Sequence, residues 1–149
     1  METLQDKIKR ITAEQVRIEA YDPAWPTLFE QERDHLLACM PEGMIIRIEH
    51  FGSTAVAGLA AKPIVDVVIE VSDAAQAKTI VPRILEPQGY DCLWRPTLGD
   101  DTPPWYTWCI KRNPAGRRTH HLHFGSVGFK ADELLFRDIL RQQPESAAA

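Results

Sequence analysis

His50-Phe51-Gly52-Ser53-Thr54-Ala55-Val56-Ala57-Gly58-Leu59-Ala60-Ala61-Lys62-Pro63-Ile64-Val65-Asp66 joins two β-patterned runs through small and hydroxylated residues and ends on a carboxylate. Gly52 can turn the chain where a Cβ would clash, Ser53 and Thr54 offer donors to an anion, and Lys62 adds a positive charge. Asp66 then stands where a divalent cation can bridge it to phosphate oxygens. The same residues also fit a plain Gly/Ser turn ahead of an ordinary strand.

Upstream, Met44 to Phe51 reads as a strand with Ile46, Ile48 and His50 on one face and Ile45 and Phe51 on the other. Before it, Asp22-Pro23 reads as an N-cap with proline at the first helical position. Trp25, Leu28, Phe29, Leu36 and Leu37 then form an apolar stripe to about Met40. Leu4, Ile8 and Ile11 keep helical spacing, so residues 1–16 form a helical extension, packed on the domain or on a second copy. Residues 17–149 form the main domain.

Downstream, Ile64 to Val71 is a nearly continuous apolar run, as a strand covered on both faces requires. Ser72-Asp73 caps a helix carrying Ala77, Ile80, Val81, Ile84 and Leu85, in which Pro82 marks a kink or a restart. Tyr90 to Leu93, Trp105 to Lys111 and Thr119 to Phe124 are strands, antiparallel because their linkers are too short for helical crossovers. Asp100 to Pro104 is a loop, Asn113 to Gly116 a turn, and Lys130 to Arg141 a helix with Leu134, Leu135, Ile139 and Leu140 on its apolar side. This order predicts an α+β, or mixed-sheet α/β, domain: a small mixed sheet flanked by helices.

The 149 residues suffice for one core, and 44% hydrophobic with 26% charged residues is ordinary for a soluble protein. No apolar run approaches the roughly 18 residues of a bilayer span. The N-terminus lacks the pattern of a secretory signal, so the expectation is a cytoplasmic protein without a membrane partner. Cys39, Cys92 and Cys109 are odd in number and widely spaced, and read as buried thiols. A formal charge of −4 argues against general nucleic-acid binding, yet Trp105 to Arg141 carries a balance of +4, which suits an anionic ligand or a solvated face.

Alternation along the strand aims Asp66, Val68 and Glu70 at one side. Carboxylates two residues apart, about 6.6 Å at Cα, can share a metal pair, but Val68 occupies that position. Asp66 alone can hold one Mg²⁺ together with phosphates and water, or can hydrogen-bond the loop of Gly52 to Thr54. His121 and His123 also share a strand face, and with His50 they suit phosphate contact, acid/base work or metal ligation. Arg117, Arg118, Arg137 and Arg141 can complete an anion pocket, with Arg137-Asp138 open to reading as a local ion pair. Trp94, Trp105, Tyr106 and Trp108 suit the core or a stack on a nucleobase. Gly-x-Gly-x-x-Gly, P-loop and Gly-x-Ser-x-Gly signatures are absent from the sequence.

Taken together, Tyr21-Asp22-Pro23-Ala24-Trp25 with Phe29 and Glu32, Ile48 to Val56, Gly58 to Asp66, Gly89-Tyr90, Arg118-Thr119-His120-His121-Leu122-His123 and Phe136 to Arg141 resemble the GrpB family, from about Val16 to Pro144. The resemblance implies a nucleotidyltransferase-like fold with Gly52-Ser53 at the nucleotide-phosphate turn and Asp66 as the first metal-binding carboxylate. It further implies a phosphate or nucleotide site built from His50, Gly52, Ser53, Thr54, Lys62, Arg118, Arg137 and Arg141, with Asp66, His121 and His123 as catalytic groups. Mg²⁺ and ATP or another nucleoside triphosphate are the implied cofactor and co-substrate. Members of the nucleotidyltransferase-like superfamily usually carry a second carboxylate where this chain has Val68, and a later acidic position is replaced in the region of His121 and His123. Ala57 stands where proline is common, and the chain stops soon after Pro144, which suggests an open interface and a homodimer. The expectation is an enzyme acting on a phosphorylated or nucleotide-activated small molecule; the alternative is an inactive anion-binding module or sensor.

Overall fold

The structure, a computed structural model, describes residues 1–12, 17–97 and 103–143. Most of the expected loop from Asp100 to Pro104 lies outside the described residues. The elements run α1 (Leu4–Thr12), α2 (Trp25–Cys39), β1 (Ile45–Phe51), β2 (Val65–Val71), α3 (Ala74–Leu85), β3 (Asp91–Pro96), β4 (Trp105–Arg112), β5 (Arg118–Gly125) and α4 (Ala131–Gln142). One five-stranded sheet has the order β1-β2-β5-β4-β3. Only the β2–β5 pair is parallel. This is the mixed α+β architecture expected from the order of elements, with helices on both sides of the sheet.

The apolar run of β2 explains why two layers form. Val65, Val67, Ile69 and Val71 alternate toward one side, where they meet Leu122 and Phe124 of β5, Trp25 and Leu36 of α2, and Ala77, Val81 and Leu85 of α3. Val68 points the other way, into a smaller cluster with Phe51, Tyr106, Phe129 and Leu134 under α4. Asp73 caps α3 as expected, accepting from the amides of Ala75 and Gln76 at 3.0 and 3.1 Å. Pro82 does not end that helix, which runs unbroken to Leu85.

Several details correct the sequence reading. Helix α2 begins at Trp25: the Asp22 carboxylate accepts the Ala24 amide at 2.8 Å in a turn ahead of the helix, and Pro26, not Pro23, lies in the first turn. Leu37 faces solvent, and the buried positions of α2 are Trp25, Glu32 and Leu36. Glu32 is tolerated there because Tyr90 Oη and Lys111 Nζ each donate to it at 2.6 Å. A register shift between Ile45 and Arg47 restores Ile45 to the side of Ile48 and His50, and Ile46 becomes exposed. On α4, Leu135 and Ile139 are exposed, whereas Arg137 is buried beside Leu134.

The cysteines also differ from expectation: Cys92 and Cys109 form a disulfide, and Cys39 is free. Their 17-residue separation says nothing about proximity, but the β3–β4 register sets the two directly opposite each other. Helix α1 lies against β3, where Lys7 Nζ donates to the Cys92 carbonyl at 2.8 Å and Arg10 pairs with Asp91 at 2.8 Å.

Candidate functional site

Asp66 lies where three strands meet, opposite Phe51 of β1 and His121 of β5, with His123 opposite Val68. Period-two alternation therefore sends Asp66, His121 and His123 to the α4 side of the sheet. The Asp66 Oδ1 atom is 3.7 Å from both His121 Nδ1 and His123 Nε2. Both distances exceed hydrogen-bond range, so the carboxylate acts on the two rings through its charge. Its other oxygen faces Gly52, whose backbone has φ +73° and ψ −172°; a Cβ built there would stand 2.6 Å from Asp66 Oδ2. The absence of a side chain at Gly52 is what lets the turn rest on the carboxylate.

A cavity of about 420 Å³ opens beside this pair, lined by Ser53, Lys62, Asp66, His121, Ile18 and Ala60 among others. Its wall is closed by a bridge between Glu19 and Ala61, with backbone hydrogen bonds at 2.7 and 2.9 Å. Ser53 and Lys62 are exposed at the rim. Ile18 was not singled out in the sequence, since a lone apolar residue in a short extended segment carries no periodic signal.

His50 points away from this cavity. It lies on the α2 side of the sheet, stacked on Phe29 at 5.1 Å between ring centres and bonded through Nε2 to Thr54 Oγ1 at 2.9 Å. Thr54 donates its own proton to the Ile64 carbonyl at 3.2 Å, so Nε2 of His50 carries the hydrogen in the neutral ring. Burial, with help from the charge of Arg141, depresses the His50 pKa to about 4. His50 and Thr54 thus brace the turn from behind, with the Thr54 hydroxyl engaged by protein.

The arginines hold the walls. Arg118 contacts His121 Nε2 at 3.3 Å and donates to the Ile11 carbonyl of α1. Arg141 Nε donates to the Ala55 carbonyl at 2.8 Å, tying α4 to the turn that Gly52 begins. Arg137 is buried and pairs with Glu49 at 2.9 Å and Asp138 at 2.8 Å while donating to the His50 carbonyl at 2.8 Å. Arg117 is exposed on the β4–β5 turn. Replacing Arg137 with methionine is expected to lower stability by about 2 kcal/mol, since α4 loses its charged tie to β1. Urea unfolding measures the loss, and affinity for phosphate-bearing ligands in the folded fraction is expected to stay within twofold.

Among the described residues, Asp66 accepts no hydrogen bond, and no cluster of three or more His, Cys, Asp or Glu side chains suited to a metal ion is present. Glu70, the other carboxylate on this face, is engaged by the Gly128 amide at 2.8 Å. Val68, between them, is fully buried. These donors fit one hard cation held by a single protein carboxylate and otherwise by ligand oxygens, and do not fit a metal pair. His123 is enclosed by Phe51 and Tyr106, at 5.1 and 5.4 Å between ring centres, and both its nitrogens are buried without a hydrogen bond. Burial lowers its pKa, outweighing the attraction of Asp66, so the ring is neutral at pH 7.

The family model for the GrpB protein matches residues 15–149, which include every residue of the cavity. The chain belongs to the GrpB family. A UPF0157 protein of Halalkalibacterium halodurans is 37% identical over 81% of this GrpB-family chain and 58% of its own length. YqkA of Bacillus subtilis, also a UPF0157 protein, is 35% identical over 89% of this chain and 36% of its own length. The chain thus spans about half the length of the curated relatives it matches. The crystal structure of the conserved protein GrpB from Enterococcus faecalis has a TM-score of 0.72 and 30% identity, covering 88% of this chain and 76% of that one. Among the described residues, no helix is long and apolar enough to cross a membrane.

Proposed function

We propose that this GrpB-family chain is a nucleotidyltransferase-fold enzyme acting on a phosphorylated or nucleotide-activated small molecule, with ATP or another nucleoside triphosphate as co-substrate. The observation that carries the reading is the Asp66 carboxylate: it faces a cavity, accepts no hydrogen bond among the described residues, and is flanked by a glycine turn on one side and two imidazoles on the other. A carboxylate with only two imidazoles at 3.7 Å beside it leaves oxygen lone pairs for a cation or a donor from a ligand.

In this reading the Gly52–Ser53 turn and Lys62 take phosphate oxygens, and Asp66 holds one Mg²⁺, which when bound withdraws charge from those oxygens. His121, which lines the cavity beside Asp66, accepts a proton from the acceptor, and His123, neutral and enclosed by Phe51 and Tyr106, backs it. Arg118 steadies the His121 ring beside it.

The test is calorimetry with ATP, with and without Mg²⁺, followed by a search for pyrophosphate release across a panel of small acceptors. Asp66→Asn is expected to weaken Mg²⁺-dependent binding at least tenfold while shifting Tm by no more than about 2 °C. His121→Gln is expected to lower turnover more than binding. Tight nucleotide binding with no turnover favours the second reading, a sensor or binding module, which the buried Val68 supports by excluding a second carboxylate. No nucleotide binding, or equal binding by Asp66→Asn, overturns the enzyme reading.

A further inference from the structure

The α4 side of the sheet carries a second group of charges that the phosphate end does not use. Tyr106 and Trp108 of β4 stand beside His123 and floor this part of the face. The Arg95 guanidinium lies 4.6 Å from the Trp108 ring centre, and Lys130 Nζ lies 4.9 Å from that of Tyr106 and 5.9 Å from that of Phe129. The Lys130 side chain is only 9% exposed, and its ionic neighbour is Glu133, 3.9 Å away on its own helix. Among the described residues neither the Arg95 guanidinium nor the Lys130 ammonium donates a hydrogen bond to a protein group. Two cations from different parts of the chain are thus held over one aromatic floor, close enough for the charge of Arg95 to disfavour that of Lys130.

Beneath them, three ring nitrogens lack partners: Nε1 of Trp108 and both nitrogens of His123 are buried without a hydrogen bond. Two neighbouring cations and the unpartnered Trp108 N–H at one spot are unfavourable in an empty protein and favourable around an anion. We propose that this half of the face is the acceptor subsite of the cleft, and that it takes a small molecule bearing a carboxylate bound between Arg95 and Lys130. A planar carboxylate matches the guanidinium fork of Arg95 and is small enough to be shared with the Lys130 ammonium. This inference rests on the enzyme reading above for the meaning of "acceptor", but binding at the subsite can be measured alone.

The experiment follows the indole N–H resonance of Trp108, assigned with Trp108→Phe, while the full chain is titrated with benzoate and, separately, with its neutral isostere benzamide. Benzoate is expected to shift the resonance saturably, and benzamide to do so at least tenfold more weakly. Arg95→Gln and Lys130→Gln are each expected to weaken benzoate at least fivefold, with Arg95→Lys recovering part of the loss. Equal responses to benzoate and benzamide, no response to either, or benzoate binding unchanged in both Gln variants overturns the proposal; so does inorganic phosphate shifting the Trp108 resonance at lower concentration than benzoate. A protein that binds ATP but not benzoate loses only this subsite. One that binds benzoate but not ATP loses the enzyme reading and keeps the subsite.

Discussion

Between pH 6.5 and about 4 the chain is expected to lose roughly 3 kcal/mol of stability through His50 alone. An unfolded histidine titrates near 6.5, whereas burial against Phe29, reinforced by the charge of Arg141, holds the folded ring to about 4. In that window the unfolded chain binds a proton that the folded chain refuses, so stability falls as the pH falls and the full loss is in force below about 4. His120 and His123 act in the same direction, since burial lowers both. Asp91 works in a separate, lower window. Its hydrogen bond from Arg10 holds it to about 2, so the stability it adds above its ordinary pKa disappears only as the pH falls toward 2.

Urea unfolding at pH 7.5, 6, 5 and 4 checks this, with His50→Gln as the comparison because an amide can still donate to Thr54. The wild-type curve is expected to fall steeply from pH 6.5, and the variant to lose much of that slope. A wild-type stability that stays level across the range, or an identical slope in His50→Gln, contradicts the assignment.

Much of the fold was legible because period and punctuation agree in this sequence. The Val/Ile run of β2, the Asp73 cap and the Asn113 turn each name one local structure, and the structure contains them. What the pattern could not carry was side-chain direction where one residue breaks the period. The shift between Ile45 and Arg47 cannot be read from an unbroken apolar run, and it exchanges the faces of Ile45 and Ile46. His50 matched His121 and His123 as a residue type, but strands β1 and β5 present these residues to opposite sides of the sheet. Arg137 reads from the sequence as part of an anion pocket, and the burial of Arg137 and Glu32 was not legible, because composition does not reveal partners that are 88 and 79 residues away. Alternation put His121 and His123 on one strand face, but their approach to Asp66 depends on the β2–β5 pairing; Arg95 and Lys130 likewise meet only through the β3–β4 pairing and the turn before α4.

Replacing Gly52 with alanine is expected to be the most damaging single-methyl change on the site. The backbone there, at φ +73° and ψ −172°, falls in a region that is almost exclusive to glycine, and holding an alanine in it costs about 1–3 kcal/mol. The new Cβ would also meet Asp66 Oδ2 at 2.6 Å, well inside contact distance. The carboxylate cannot retreat easily, because His121 and His123 lie 3.7 Å beyond its other oxygen and Phe51 is its strand partner. Relief must come from lifting the turn, which is fastened by the Arg141 bond to Ala55 and by Thr54 to Ile64. The expected total is a loss of about 3 kcal/mol in urea unfolding, with Mg²⁺-dependent ATP affinity reduced at least tenfold in the protein that remains folded. Gly58→Ala supplies the contrast: its φ of +82° also strains a side-chain-bearing residue, but a Cβ there meets nothing within 4 Å. If both variants lose the same stability and Gly52→Ala keeps its affinity, the contact between the turn and Asp66 has no part in shaping the site; a loss of binding confined to Gly52→Ala identifies that contact as the feature that holds the carboxylate in position.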